Sequence, residues 1–271
     1  MALVAAIAVG YLLAGAAIAG KGLSASDRAL QSTFSHQNQV IGTLEENPLK
    51  AISLNSDNPD LTGAKAALDA FAPKVKSAQA LVSSDLAALR SAQESAQSGS
   101  QSPFTLAQRA ALDQKVARTR AAILGLLSAQ RGLNAGEQAV TFLQSLIVSL
   151  GDLQALANAL NKSDVAGAAA VVPRLQQELS TTVSSGQQAD LPPQLSQLTI
   201  GLNSLISDIK TLVDAVQAND SAAASRSLTQ MDSDLKMVSG FDEAGANSWI
   251  DQLTSQLRET YNAEMKIAQG Q

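Results

Sequence analysis

His36 is the chain's single imidazole, and there is no cysteine. Without Cys there is no thiolate nucleophile, Fe–S cluster, disulfide or Cys-based zinc site. One His excludes His-rich metal centres and leaves most imidazole acid–base schemes short of a group. A di-iron helical site needs Glu-x-x-His pairs on facing helices, and no Glu here has a His three residues on. Paired acids are few. Glu45-Glu46 precedes Asn47-Pro48, while Asp232 and Asp234, two apart on a helix, point in different directions. Asn55–Asp60 (NSDNPD) is oxygen-rich but lacks the central Gly and bidentate Glu of an EF-hand loop, so it reads as turn and cap.

Nucleophile and phosphate motifs are missing too: the chain has no Gly-x-Ser-x-Gly and no Gly-rich strand-to-helix loop. His36 and Gln37 fall near the apolar stripe of the first helix, where a polar side chain sets register or is satisfied locally. Arg118, Arg120 and Arg131 form a small basic patch that reads as solvated surface, with anionic lipid as its other use. Trp249, the sole Trp, reads as packing at a helix end. No catalytic, cofactor-binding or metal-ligating residue is nominated, no cofactor is expected, and the chain reads as a non-enzyme.

The elements that position these residues can be read from composition. The 271 residues include 48 Ala and eight aromatics, with 19 basic and 24 acidic side chains. A net charge of −5 and a pI near 4.9 argue against nucleic acid as partner. Residues 1–20 carry no charge, and eleven of them are Ala or Gly. Twenty helical residues span roughly 30 Å, the thickness of a bilayer core. The segment therefore reads as a transmembrane anchor, with a cleaved signal peptide as alternative because Ala17-Ile18-Ala19 has small-x-small form. Ala6, Gly10 and Ala14 share one helical face and would admit a second helix in lipid. Lys21 and Arg28 come after the span and favour a cytoplasmic domain by the positive-inside rule. Single N-terminal spans generally export the domain behind them, and the main domain is expected to be extracytoplasmic, or secreted if the segment is cleaved.

Residues 21–271 show helical periodicity and no strand pattern. The expected stripes are Leu23, Leu30, Phe34, Ile41 and Leu44; then Leu68, Phe71, Val75, Ala78, Val82, Leu86 and Leu89 over 61–97. SGSQSP at 98–103 reads as a turn before a third helix that ends near 131. Gly132 and Gly136 then mark a break, and a candidate domain division, before a helix with Leu143, Leu146, Leu150, Leu153, Ala157 and Leu160. Leu195, Leu198, Leu202, Leu205, Ile209, Leu212 and Val216 form a similar seam, of coiled-coil kind. The last helix carries Trp249, Ile250, Leu253, Leu257, Tyr261 and Met265. Pro73 and Pro173 fall inside apparent helices and read as places where the true helix begins.

Residues 143–183 resemble 199–239 at a constant offset of 56, with Leu146/Leu202, Asp152/Asp208, Leu156/Leu212, Asp164/Asp220 and Leu179/Leu235 among the identical pairs. The shared Asp reads as a cap, and Asp60-Leu61-Thr62-Gly63-Ala64 repeats the form of Asp164-Val165-Ala166-Gly167-Ala168. The expected architecture is all-α: a membrane or signal helix, then antiparallel hairpins closing into one or two bundles, with a short α-solenoid as alternative. Two functions fit. One is a membrane-tethered module acting by protein or small-molecule contact; the other is a self-associating cell-envelope scaffold or filament subunit.

Overall fold

Leu and Ala at steps of three and four residues drive this chain into helices. The computed structural model describes residues 2–51, 60–162, 164–186 and 191–271, with no strand among them. The α-helices among these residues are, in order, α1 (Ala2–Leu44), α2 (Leu61–Gln101), α3 (Arg109–Asn161), α4 (Val165–Gly186), α5 (Pro193–Gln217), α6 (Ser221–Ser239) and α7 (Glu243–Gln269). Short 3-10 turns occupy Pro48–Ala51 and Pro103–Gln108. The NSDNPD segment lies outside the described residues except for Asp60, as do the surroundings of Ala6 and Gly10.

Two compact units divide the chain. Unit 1 comprises Met1–Glu46, Val75–Asn134 and Leu253–Gln271; unit 2 comprises Asn47–Lys74 and Ala135–Gln252. In α3 the division falls between Asn134 and Ala135, yet the helix runs unbroken from Arg109 to Asn161. The break expected at Gly132 is therefore absent. Its glycine serves packing: a Cβ there would meet Leu44 Cδ2 at 2.6 Å and Leu257 Cδ1 at 3.4 Å. The stretch Pro103–Ala159 is long and apolar enough to cross a membrane by length and composition. A core helix has the same composition, and Leu126, Leu133, Phe142, Leu143 and Leu146 of α3 are fully buried.

The prolines also depart from expectation. Pro73 lies inside α2 and Pro173 inside α4, twelve and eight residues after the first residue of each helix. Both are exposed, so the lost backbone bond and the ring lie on a solvent face.

The stripe of α2 is buried as read, from Leu68 to Leu89. That of α1 is rotated. Leu23, Phe34 and Ile41 are half-buried, while Gly15, Ala19, Gly22, Ser26, Ala29, Thr33, Val40 and Thr43 face inward with Leu30 and Leu44. Small side chains let helices approach closely, and the buried hydroxyls are satisfied by their own helix. Ser26 Oγ donates to the Gly22 carbonyl at 3.0 Å, Thr33 Oγ1 to Ala29 at 2.9 Å and Thr43 Oγ1 to Gln39 at 3.0 Å. Ala19, Ala96 and Leu112 form one buried cluster, with Leu23 and Val116 against it.

Four helix starts obey one chemical rule. Asp60, Asp164, Asp220 and Asp242 each accept through Oδ1 from the amide three residues on, at Gly63, Gly167, Ala223 and Gly245, over 2.8–2.9 Å. Asp242 completes a set of D-x-x-(G/A)-A starts with its DEAGA, a fourth match to the pattern seen at Asp60, Asp164 and Asp220. Replacing Asp220 by Ala leaves the amide of Ala223 without its acceptor and is expected to cost about 1 kcal/mol, against a few tenths for Gly. Urea midpoints of the full chain check this; an Ala variant as stable as the parent contradicts the capping role.

Candidate functional site

Unit 1 gathers Ser32, His36, Asp85 and Tyr261. His36 Nδ1 lies 2.9 Å from Asp85 Oδ2, and Ser32 Oγ donates to Asp85 Oδ1 at 3.2 Å. These are the residue types of a nucleophilic triad in a different order of contact. The carboxylate sits between hydroxyl and imidazole, so the serine proton points to a carboxylate and not to a base that would remove it. What the arrangement does is give hydrogen-bond partners to a carboxylate that is only 2% exposed. Tyr261 from α7 is wholly buried, and its hydroxyl has no hydrogen-bond partner among the described residues. Burial first, and the charge of Asp85 second, push its phenol far above the usual tyrosine range.

Unit 2 holds a pair of related clusters, reached through the 56-residue offset. In the first, Arg174 of α4 clamps Asp152 of α3, with Nε on Oδ2 at 2.7 Å and Nη2 on Oδ1. Glu178, one turn after Arg174, stands beside Asp152. At the offset positions the second cluster has Asp208 on α5, with Gln230 and Asp234 on α6. The guanidinium is thus replaced by an amide, and two carboxyl groups face each other. Gln230 Nε2 reaches Asp234 Oδ1 only at 3.4 Å, and neither Asp208 Oδ2 nor Asp234 Oδ2 has a donor among the described residues. Asp234 is 3% exposed.

The turns that place these clusters are alike. Asp164 N bonds Ala159 O at 2.9 Å, and Asp220 N bonds Ala215 O at 2.8 Å, again 56 residues apart. Asn219 takes positive φ (56°) in the second turn, a conformation Asn tolerates.

Geometry sets the charge states. The Arg174 guanidinium holds the Asp152 carboxyl below the usual range. Burial, and then the neighbouring Asp152, raise Glu178. Burial and the facing Asp234 raise Asp208. In the sequence, Asp152 and Asp208 stand out as a repeat match, whereas Asp234 has only Gln230, one turn before it, as a same-helix neighbour. The signal that finds the rest is that Glu178 and Asp234 are also 56 apart, so both copies place an acid opposite their Asp.

The other singled-out residues do not converge. Glu45 pairs with Arg258 at 2.8 Å on the surface of unit 1. Asp232 pairs with Lys236 at 2.6 Å, one helical turn apart on α6. Gln37 is half-buried. Arg118 Nε donates to the Ala268 carbonyl at 2.6 Å, closing the end of α7, so the basic patch is partly engaged within the protein. Trp249 is half-buried near the start of α7.

Asp152 and Asp208, equivalent positions of the two clusters, respond to pH with opposite sign. Asp208 is raised in the folded state, so its stabilising contribution is present below the ordinary carboxyl value of 3.8 and is lost as pH rises through the folded value. Asp152 is lowered, so its contribution is present above 3.8 and is lost as pH falls through the depressed value. Asp208→Asn is therefore expected to raise the urea midpoint at neutral pH, as is Gln230→Arg, which restores a cation. Asp152→Asn is expected to lower stability by about 1–2 kcal/mol. Equal destabilisation by Asp208→Asn and Asp152→Asn at neutral pH contradicts the contrast. Tyr261→Phe removes an unpartnered buried hydroxyl and is expected to leave stability unchanged or raise it by up to about 1 kcal/mol; a clear loss in thermal denaturation counts against an unpaired hydroxyl.

Compared with known proteins, the chain matches no family model, no curated protein and no solved structure.

Proposed function

We propose that this chain is a membrane-tethered, extracytoplasmic helical bundle, built of antiparallel hairpins, that acts by protein or ligand contact and without catalysis. The tether is residues 1–20. They carry no charge, and the same helix α1 continues to Leu44 without interruption. Retention is favoured over cleavage after Ala19, since Ala19 is 1% exposed and covers Ala96 and Leu112. Removing the segment would uncover that cluster.

One observation carries the contact reading. Val172 on α4 is 4% exposed, whereas its offset counterpart on α6, Leu228, is 55% exposed. Leu175 is likewise buried while its counterpart Met231 is half-buried. A stripe that one copy buries is left open in the other, the condition of a surface awaiting a partner. A groove of about 430 Å³ lies between α5 and the end of α6, lined by Gln194, Gln197, Leu198, Ile200, Met237 and Phe241. Its mixed lining suits a peptide or small amphipathic ligand. The same stripe favours a second reading, a self-assembling envelope scaffold, if the partner is another copy.

A photoreactive amino acid at position 228 of the full chain, activated in cells, separates these outcomes. An adduct with a different protein is expected. An adduct between two copies of the chain transfers the assignment to the scaffold. If no adduct forms and Leu228→Glu leaves sedimentation and yield unchanged, α6 is ordinary surface and the contact reading is wrong. External protease is expected to degrade unit 2 in intact cells; degradation only after lysis overturns the extracytoplasmic placement.

A further inference from the structure

One face of residues 11–20, through Tyr11, Gly15 and Ala19, packs within unit 1. The Tyr11 hydroxyl donates to the Pro103 carbonyl, and its ring lies 4.7 Å from that of Phe104. A Cβ on Gly15 would collide with the Phe104 carbonyl oxygen. Ala19 packs on Ala96 and Leu112. Residues 11–20 therefore share their level along α1 with the end of α2, the 3-10 turn Pro103–Gln108 and the start of α3. Any environment that takes α1 up to Lys21 takes this end of the unit with it.

The connection is built for such an environment. Between Glu94 and Asp113 the only charged residue is Arg109. Phe104 and Leu106 are 41% and 65% exposed, and Leu13 on α1 is 66% exposed. Meanwhile the turn satisfies its polar groups internally, as backbone at a lipid boundary must. Ser102 N bonds Gly99 O at 3.1 Å, Thr105 N bonds Ser102 O at 3.3 Å, and Phe104 N bonds Ser102 Oγ at 3.3 Å. The buried Thr105 hydroxyl donates to the Gly99 and Ser102 carbonyls. The Pro103 carbonyl is taken by Tyr11.

We propose that the α2–α3 connection is a lipid-contacting surface, with Phe104 and Leu106 seated in the membrane interface beside α1. The inference rests on the reading of residues 1–20 as the membrane tether, with residues 11–20 at interface depth and not across the hydrocarbon core. Gln97, Ser98, Gln101 and Gln108 set the depth: their amides and hydroxyls suit the headgroup layer and not the hydrocarbon centre. Lys21 and Arg109, both exposed, are the cations at this level and reach phosphate groups along apolar stems. Anionic vesicles are the matching surface.

The absence of native Cys makes site-specific labelling direct. Single cysteines at Leu106, Leu13 or Leu228 of the full chain, each carrying an environment-sensitive fluorophore, are reconstituted in vesicles of phosphatidylcholine and phosphatidylglycerol. All three sites are exposed, so the substitutions remove no core contact. The expected result is blue-shifted emission and quenching by acyl-chain spin-labelled lipid at positions 13 and 106, with position 228 quenched only by aqueous iodide. Quenching by lipid at 13 but by iodide at 106 overturns the inference and leaves the tether standing. Iodide quenching at both overturns the tether and the inference with it. A label at 106 sheltered from iodide yet untouched by spin-labelled lipid lies in a protein contact, which also overturns the proposal.

Discussion

Close approach of helix backbones is the constraint on which unit 1 depends. A Cβ on Gly22 would stand 3.1 Å from Ala96 Cα and 3.2 Å from Leu112 Cδ2, and one on Gly125 would stand 3.2 Å from the Tyr261 carbonyl oxygen. Contacts this tight yield many dispersion pairs from small side chains, and they leave no room for large ones. They also explain the low aromatic content: the core is filled by backbone and Ala where another protein would use Phe. The Ser26, Thr33 and Thr43 hydroxyls can line such a seam because each returns its hydrogen to a carbonyl of its own helix.

That same seam limits what the sequence discloses. Large apolar residues signal themselves by spacing, and the stripes of α2 and α5 can be read directly. Leu195 through Leu212 of α5 are buried as their spacing implies, while Val216 at its end is exposed. Gly, Ala, Ser and Thr carry no such signal. In α1 spacing nominates Leu23, Phe34 and Ile41, and the inward face lies one position round, through Gly22, Ala29, Thr33 and Val40. In α3 it nominates Leu150 and Leu153, of which neither is fully buried, because nothing in hydropathy points to Ser149 and Asp152 as interior residues. Gly132 reads as a break because glycine serves both hinges and close packing, and only the position of Leu44 and Leu257 distinguishes the two.

The acidic clusters are half legible for a related reason. An Asp is tolerated in a helix interface only with a partner, and partners belong to tertiary structure. The 56-residue offset supplies what the spacing within one helix cannot. It places Arg174 opposite Gln230 and Glu178 opposite Asp234, so the clusters have the same frame and different charge. The first is a clamped ion pair. The second is a carboxyl pair that shares its site with an amide. Divergence of this kind between equivalent positions, together with the open stripe of α6, is where the two copies differ in the properties that contact depends on: charge and exposed apolar area.

Continuity of α1 links this packing to the proposed tether. If the helix passes without a hinge from lipid into unit 1, the protein end at the membrane is fixed in depth and orientation. Hydrogen–deuterium exchange of the full chain in lipid nanodiscs, read by mass spectrometry, tests that most directly. The expected result is slow exchange running unbroken from Ala2 to Leu44, since bilayer and packed seam both protect helical amides. Rapid exchange anywhere between residues 11 and 26 would reveal a hinge or a free segment, and it would contradict the account of a single rigid helix joining membrane and protein.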